Sequence, residues 1–332
     1  MISQFNRKNG NKLVVGVGSP LVDILANEDD HFLSQTKAVK GGMIYVDKTD
    51  IDQVVALSSQ KPSIVPGGSA CNTTIGVGRL GGQARFVGKC GEDDMGQLVR
   101  EHLNRQNVEP HLFISSSPTG RVCSIITPDA QRSMLTFLGA ASEVLAEDIT
   151  DACFSNAAIV HVEGYLLFNY DFINTVLQCA VNCDALVSLD LASFTVVEED
   201  KASLNRIIDE FVDILIANED EAKALTGYVD EAKAIRALSE RAEFSVLKVG
   251  GKGSYIAHEN RVLQIPPAGT GGIIDTTGAG DLWASGFLYG LVNGYSLEEC
   301  GKLGSACGYE VCKVIGPQID RDGWIRIKRL LK

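Results

Sequence analysis

Five short, almost unbroken apolar runs punctuate the chain, at residues 13–18, 158–163, 185–190, 213–217 and 244–249. Runs that are apolar at nearly every position, not at alternate ones, suit parallel strands covered on both faces. The segments 171–182, 219–226 and 230–241 between them place apolar residues at helical spacing. This alternation predicts an α/β sandwich of three layers, with a mainly parallel central sheet.

Two stretches break the rhythm. Residues 37–46 and 111–138 carry β-rich runs (HLFISS, RVCSIIT, SMLTFLG), split by Ser117-Pro118-Thr119-Gly120 and Pro128-Asp129, with no helix between the strands. They predict a small, discontinuous antiparallel excursion over 37–47 and 111–138, either a lid over a cleft or a meander on the core. There is no internal repeat or low-complexity linker, so residues 1–332 read as one domain carrying that insertion.

Composition narrows the function classes. Hydrophobic residues make up 45% and charged residues 22%, which excludes disorder as the main state. The 42 acids exceed the 30 Lys and Arg, for a net charge of −12, which argues against nucleic acid and anionic membrane as partners. Nine cysteines without a CxxC pair argue against a zinc site and a disulfide framework. The polar start MISQFNRKNGNK lacks a secretory signal, and no 18-residue apolar run occurs, so a cytoplasmic protein with reduced thiols is expected. The 34 glycines cluster at 67–68, 76–82, 250–253, 269–272 and 278–280, as loops that bring backbone close to a ligand do.

The densest chemistry is Asp275-Thr-Thr-Gly-Ala-Gly-Asp281, followed by the helical pattern LWASGFLYGLVNG. Gly278, Ala279 and Gly280 then sit at a helix N-terminus, where free amides and the macrodipole favour an anion. Asp281 falls in the first turn. Alone it reads as an ordinary helix-start acid. Beside an anion cradle it supplies the second requirement of phosphoryl transfer, a base for the attacking hydroxyl.

DTTGAGD with its helix resembles the C-terminal signature of the ribokinase-like (PfkB) carbohydrate and nucleoside kinases. The N-terminal signature is similar too: PGGSACNTTIGVGRLG from Pro66 to Gly81, then ARFVGKCGEDDMGQ. The resemblance spans 13–317 and leans towards bacterial adenosine kinase-like sugar kinases. It implies a ribokinase-like α/β/α sandwich with a small β lid, and ATP with Mg²⁺ as cofactors. It makes Asp281 the catalytic base, and Gly278, Ala279 and Gly280 the anion hole. Asp23, Gly67, Gly68 and Asn72 would hold substrate hydroxyls; Arg132, in the β-rich excursion, reads either as a lid residue closing on substrate or phosphate or as an exposed turn arginine. Asn218 and Glu221 match an N-x-x-E motif that organises Mg²⁺ through water. Unaided, they read as a helix start rich in acids. Lys248, Gly250 and Gly253 match a strand–turn that contacts nucleotide, although a hairpin turn explains the glycines equally. Asp275 and Thr277 match loop positions where some members bind a monovalent cation, K⁺. The family includes monomers and lid-mediated homodimers.

GSPLVDI around Asp23 and the segment Leu191-Ala-Ser-Phe194 resemble adenosine kinase, and Tyr165 and Phe168 add aromatics after another strand. These features imply a nucleoside phosphorylated on its hydroxymethyl group, with Phe194 near the base. Core packing is the alternative role for each aromatic. Ribose, fructose or 2-keto-3-deoxygluconate is the competing substrate class, and an inactive sugar- or nucleotide-binding regulatory module the competing function.

Overall fold

In chain order the strands are β1 (Leu13–Val17), β2 (Leu21–Asn27), β3 (Met43–Tyr45), β4 (Ser63–Gly67), β5 (Ala84–Gly91), β6 (Val108–Ser115) and β7 (Gly120–Ile126). They continue with β8 (Arg132–Phe137), β9 (Ala157–Glu163), β10 (Leu186–Asp190), β11 (Ile214–Asn218), β12 (Phe244–Lys248), β13 (Ser254–His258) and β14 (Arg261–Ile265). The computed structural model describes residues 10–59, 61–129 and 131–331.

Nine strands form one sheet in the order β14-β13-β12-β11-β10-β9-β1-β5-β6. Every pairing from β12 to β6 is parallel, and β13 and β14 close one edge as antiparallel hairpins. The apolar runs supply both faces of this sheet. Val15, Val160, Val187, Leu215 and Leu247 pack with Phe172, Ile173, Leu177 and Ile207 on one side. Their neighbours Val14, Ile159, Leu186, Ile216 and Val246 pack with Ala284, Phe287 and Leu288 on the other. Each fully buried aliphatic side chain stabilises the fold by about 1.5–3 kcal/mol. Helices Ser69–Leu80 and Ala279–Val292 lie against each other on that second side.

The second sheet has the order β3-β8-β7-β2-β4 and differs from the expected excursion. The HLFISS run belongs to β6, which pairs in parallel with β5 from Ala84↔Val108 to Gly91↔Ser115, so the small sheet resumes only at Gly120. Of residues 37–47, only Met43–Tyr45 is strand. Two further strands, β2 and β4, lie outside 37–47 and 111–138 altogether. The chain leaves the large sheet after β1 through Gly18-Ser-Pro20, and β2 pairs with β4 and β7. Pro66 cannot donate to a ladder, and β4 accordingly lies at the edge. All nine cysteines are free, eight of them buried, and among the described residues no helix is long and apolar enough to cross a membrane.

Candidate active site

The loop ahead of helix Ala279–Val292 turns at Gly278, whose φ of 73° is left-handed and suits a residue without Cβ. The amides of Gly280 and Asp281 then start the helix with no acceptor among the described residues. Ala279 departs from the expectation. Its N–H donates to Thr276 O at 3.1 Å, because the preceding turn needs that donor, so the amide cradle narrows to its neighbours.

Asp281 stands in the first turn, aimed at helix Ser69–Leu80. Ser69 Oγ donates to its Oδ1 at 2.8 Å, and Asn72 Nδ2 donates to Oδ2 at 2.9 Å. Burial raises its pKa to about 6, against the opposing pull of the Asn72 and Ser69 hydrogen bonds. A carboxylate held this way is oriented and basic enough to take a hydroxyl proton near neutrality. The Ser69 bond favours the charged form, so Ser69→Ala should raise that pKa further. The acid limb of the pH–rate profile then moves to higher pH, measurable as kcat against pH; an unmoved limb counts against Asp281 as the titrating group.

Asp23 lies on β2 and faces the same space. Its Oδ2 packs directly onto Gly67, leaving no room there for a Cβ. Gly68 caps the helix at φ 104°, pressed against Ser19 O. No hydrogen bond occupies the Asp23 carboxylate among the described residues, and burial raises its pKa to about 6, against the pull of Arg132. Asn72 is 6% exposed; its amide nitrogen serves Asp281, so it orients the acid as well as facing the cleft.

Arg132, on β8, reaches from the small sheet to Asp275, with Nη1 3.2 and 3.3 Å from its two oxygens and Nη2 3.0 Å from Ser124 Oγ. Thr277 donates to Asp275 Oδ1 through its amide at 3.0 Å and its hydroxyl at 2.7 Å, and Gly316 N donates to Oδ2 at 2.8 Å. Burial opposes ionisation of Asp275, but these donors outweigh it and hold the pKa below the ordinary value. The Asp275 oxygens are saturated and a guanidinium stands beside them. These side chains therefore do not fit a monovalent cation.

At the end of β11, Asn218 caps helix Glu219–Thr226 and shares three hydrogen bonds with Glu221, at 2.6, 2.7 and 2.9 Å. Burial, then Asp190, raises Glu221 to about 7. Buried acids that raise one another's pKa fit a nearby divalent cation held through water, and among the described residues no three-ligand cluster offers direct coordination. Gly250 and Gly253 flank the tight turn between β12 and β13, the hairpin role weighed from sequence. Lys248 ends β12 and donates to Asp190 Oδ2 at 2.7 Å, leaning towards the cradle more than towards that turn.

Three contributors escaped the sequence reading. Besides Ser69 and Asp190, Glu163 closes β9 and accepts from Ser19 N at 2.8 Å and Ala70 N at 3.0 Å, tying β9 to the β1–β2 link and the Ser69 helix. Burial raises Glu163 to about 7 despite those amides. An acid ending an otherwise apolar strand was its only signal. Tyr165 is 39% exposed, yet feels Glu163, Asp281, Glu221 and Asp190, and burial with these charges pushes its phenol up. Its hydroxyl donates to Ala192 O at 3.4 Å, which puts Tyr165 on the same rim as exposed Phe194. Phe168 is exposed as well. Neither Phe is core packing.

A family model described as pfkB family carbohydrate kinase matches residues 40–322. The crystal structure of adenosine kinase from Sinorhizobium meliloti superposes with a TM-score of 0.88 at 30% identity, covering 96% of this chain and 99% of that one. A probable sugar kinase from Rhizobium etli CFN 42 has the same score and identity over 96% of this chain and 98% of its own. A ribokinase of Arabidopsis thaliana is 30% identical over 277 residues, 78% of this chain and 70% of that protein.

Proposed function

The chain belongs to the pfkB family of carbohydrate kinases, ATP-dependent phosphotransferases, and from that premise we propose that it phosphorylates the hydroxymethyl group of a nucleoside, adenosine preferred. One observation carries the nucleoside assignment: the exposed aromatics Tyr165 and Phe194, on one rim, with Tyr165 within the field of the site's buried acids. A free sugar offers such a rim only a C–H face without a π-system, whereas stacking of a base contributes about 1–3 kcal/mol. The similarity to the Sinorhizobium meliloti adenosine kinase supports the same reading, while the ribokinase and the sugar kinase keep free sugars as the competitor.

In this reading Asp23 accepts the ribose hydroxyls above Gly67 and Gly68. Asp281, oriented by Ser69 and Asn72, takes the proton of the hydroxymethyl group as its oxygen attacks the γ-phosphorus in line. The amides of Gly280 and Asp281 meet the charge on the transferred group. Glu221 would hold Mg²⁺ through water, and the ion would supply charge to neutralise phosphate oxygens. Arg132 and Asp275 tie the small sheet to the cradle loop, and closing that sheet excludes water from the reaction.

The test is ADP release with adenosine, inosine, guanosine, ribose, fructose and 2-keto-3-deoxygluconate at matched concentrations. Adenosine should exceed every free sugar in kcat/KM by at least about tenfold, the equivalent of roughly 1.4 kcal/mol. Strong turnover of a free sugar with none of any nucleoside rejects the assignment.

A further inference from the structure

Lys248 is placed oddly for a structural ion pair. It ends β12, and its ammonium passes β11 to reach Asp190 at the end of β10, 2.7 Å away, with side-chain exposures of 14% and 5%. A Cβ built on Gly280 would lie 3.0 Å from Nζ, so the charge stands against the first turn of helix Ala279–Val292. A cation at a helix N-terminus opposes the macrodipole. Burial alone would lower the amine's pKa, but Asp190, Glu221 and Asp281 outweigh it, and the group stays charged. Two positive elements, the ammonium and the free amides of Gly280 and Asp281, therefore converge on one small space beside the proposed base. A group carrying several negative oxygens resolves that conflict.

We propose that Lys248 is a catalytic residue whose ammonium contacts the phosphoryl group in flight, and that Asp190 is the positioning residue that holds it there. The inference rests on the phosphotransfer site described above and is indifferent to the acceptor. During transfer the bond between the γ-phosphorus and the β–γ bridging oxygen breaks, leaving its electron pair on ADP. The bond from phosphorus to the acceptor oxygen forms, and the acceptor proton goes to Asp281. Lys248 keeps its proton throughout and supplies charge to the equatorial oxygens. Asp190 on one side and the phosphoryl on the other balance the ammonium, so it need not leave the site between turnovers.

The test compares wild type, Lys248→Met, Lys248→Arg, Asp190→Asn and the double variant Lys248→Met/Asp190→Asn. Affinity for Mg·ADP is measured by calorimetry with and without aluminium fluoride, a planar mimic of the transferred group, and no acceptor is present. Wild type should bind ADP more tightly with the mimic. Lys248→Met should keep ADP affinity within about threefold and lose that tightening, while kcat falls by about 10²–10³-fold, the loss seen when one donor to a developing charge is removed. Lys248→Arg should recover part of both. Asp190→Asn should lower kcat less, with KM for ATP nearly unchanged, and the double variant should be no worse than Lys248→Met, as residues acting through one another require.

Tightening retained in Lys248→Met overturns the proposal. So does a kcat within threefold of wild type, or an equal loss of plain ADP affinity, which is a nucleotide-binding role alone. If Lys248→Met does not fold, Lys248→Arg decides: reduced tightening with an unchanged melting temperature supports placement of the ammonium, and full tightening with a lowered melting temperature marks a structural bridge and overturns it. Wild type showing no tightening also counts against it. A wrong acceptor assignment leaves the calorimetric readouts intact, since they need no acceptor, and shows instead as absent turnover in wild type.

Discussion

Asp281→Asn is expected to lower kcat by about 10²–10⁴-fold, the usual contribution of a positioned general base. The variant keeps the size of the side chain and its contact with Ser69 and Asn72, and it removes only the ability to take a proton. Stability should not fall with it. Burial raises the folded-state pKa of Asp281 from 3.8 to about 6, so its ionised form is disfavoured in the fold at neutral pH. An acid with a raised folded pKa destabilises the native state above its unfolded value, and the neutral amide removes that cost. A melting temperature equal to or above wild type, together with collapsed turnover and retained nucleotide binding, separates lost chemistry from lost structure. Turnover within about tenfold of wild type sinks Asp281 as the base, because a positioned base contributes at least 10²-fold.

The same energetics explain why an acidic protein handles phosphate. The net charge is −12, and Asp23, Asp190, Glu221 and Asp281 all face the site. The opposing field is local: a helix start with free amides, Lys248 pinned by Asp190, and Arg132 pinned by Asp275. Each cation is held by a carboxylate of its own. Asp23, Glu163, Glu221 and Asp281 have no ion-pair partner of their own among the described residues, and burial pushes Asp23 and Asp281 to about 6 and Glu163 and Glu221 to about 7.

What could be read from the sequence follows from where the information is stored. Strands β9 to β12 are buried on both faces, so each is apolar along its length and visible locally. The cradle could be read for a similar reason, since glycine, small residue and acid at a helix start are neighbours in sequence. The small sheet was harder. Strand β2 is interrupted by Asp23, which faces the cleft, and β4 contains Pro66, so neither has the pattern of a covered strand. HLFISS was misassigned because β6 is an edge strand whose half-exposed residues look like those of an antiparallel excursion. The pairings Ser69–Asp281, Arg132–Asp275 and Lys248–Asp190 join positions 212, 143 and 58 residues apart. No local periodicity carries such contacts; only the packing of helix on helix and sheet on sheet creates them.

Asp23→Ala should reduce kcat/KM for the acceptor by about 10²–10⁴-fold while leaving KM for ATP nearly unchanged. The size follows from two hydrogen bonds to a charged group at about 1.5–3 kcal/mol each. The carboxylate is available for them, since no protein donor occupies it among the described residues and Gly67 beneath it opens the approach. The pH dependence gives a sharper signature. Burial sets both Asp23 and Asp281 at about 6, and the Asp281 charge adds to the rise at Asp23, so the two acids titrate over the same pH range. Protonating either one disables the free enzyme, by weakening hydroxyl capture or by removing the base. Acceptor kcat/KM in wild type should therefore fall with a slope approaching two below pH 6, whereas kcat, measured with acceptor already bound, should fall with a slope of one. In Asp23→Asn the kcat/KM limb should relax to a slope of one, because only Asp281 still titrates. A wild-type slope of one in both profiles, with acceptor KM unmoved in Asp23→Ala, would remove Asp23 from the substrate site and leave Asp281 as the only titrating acid in the reaction.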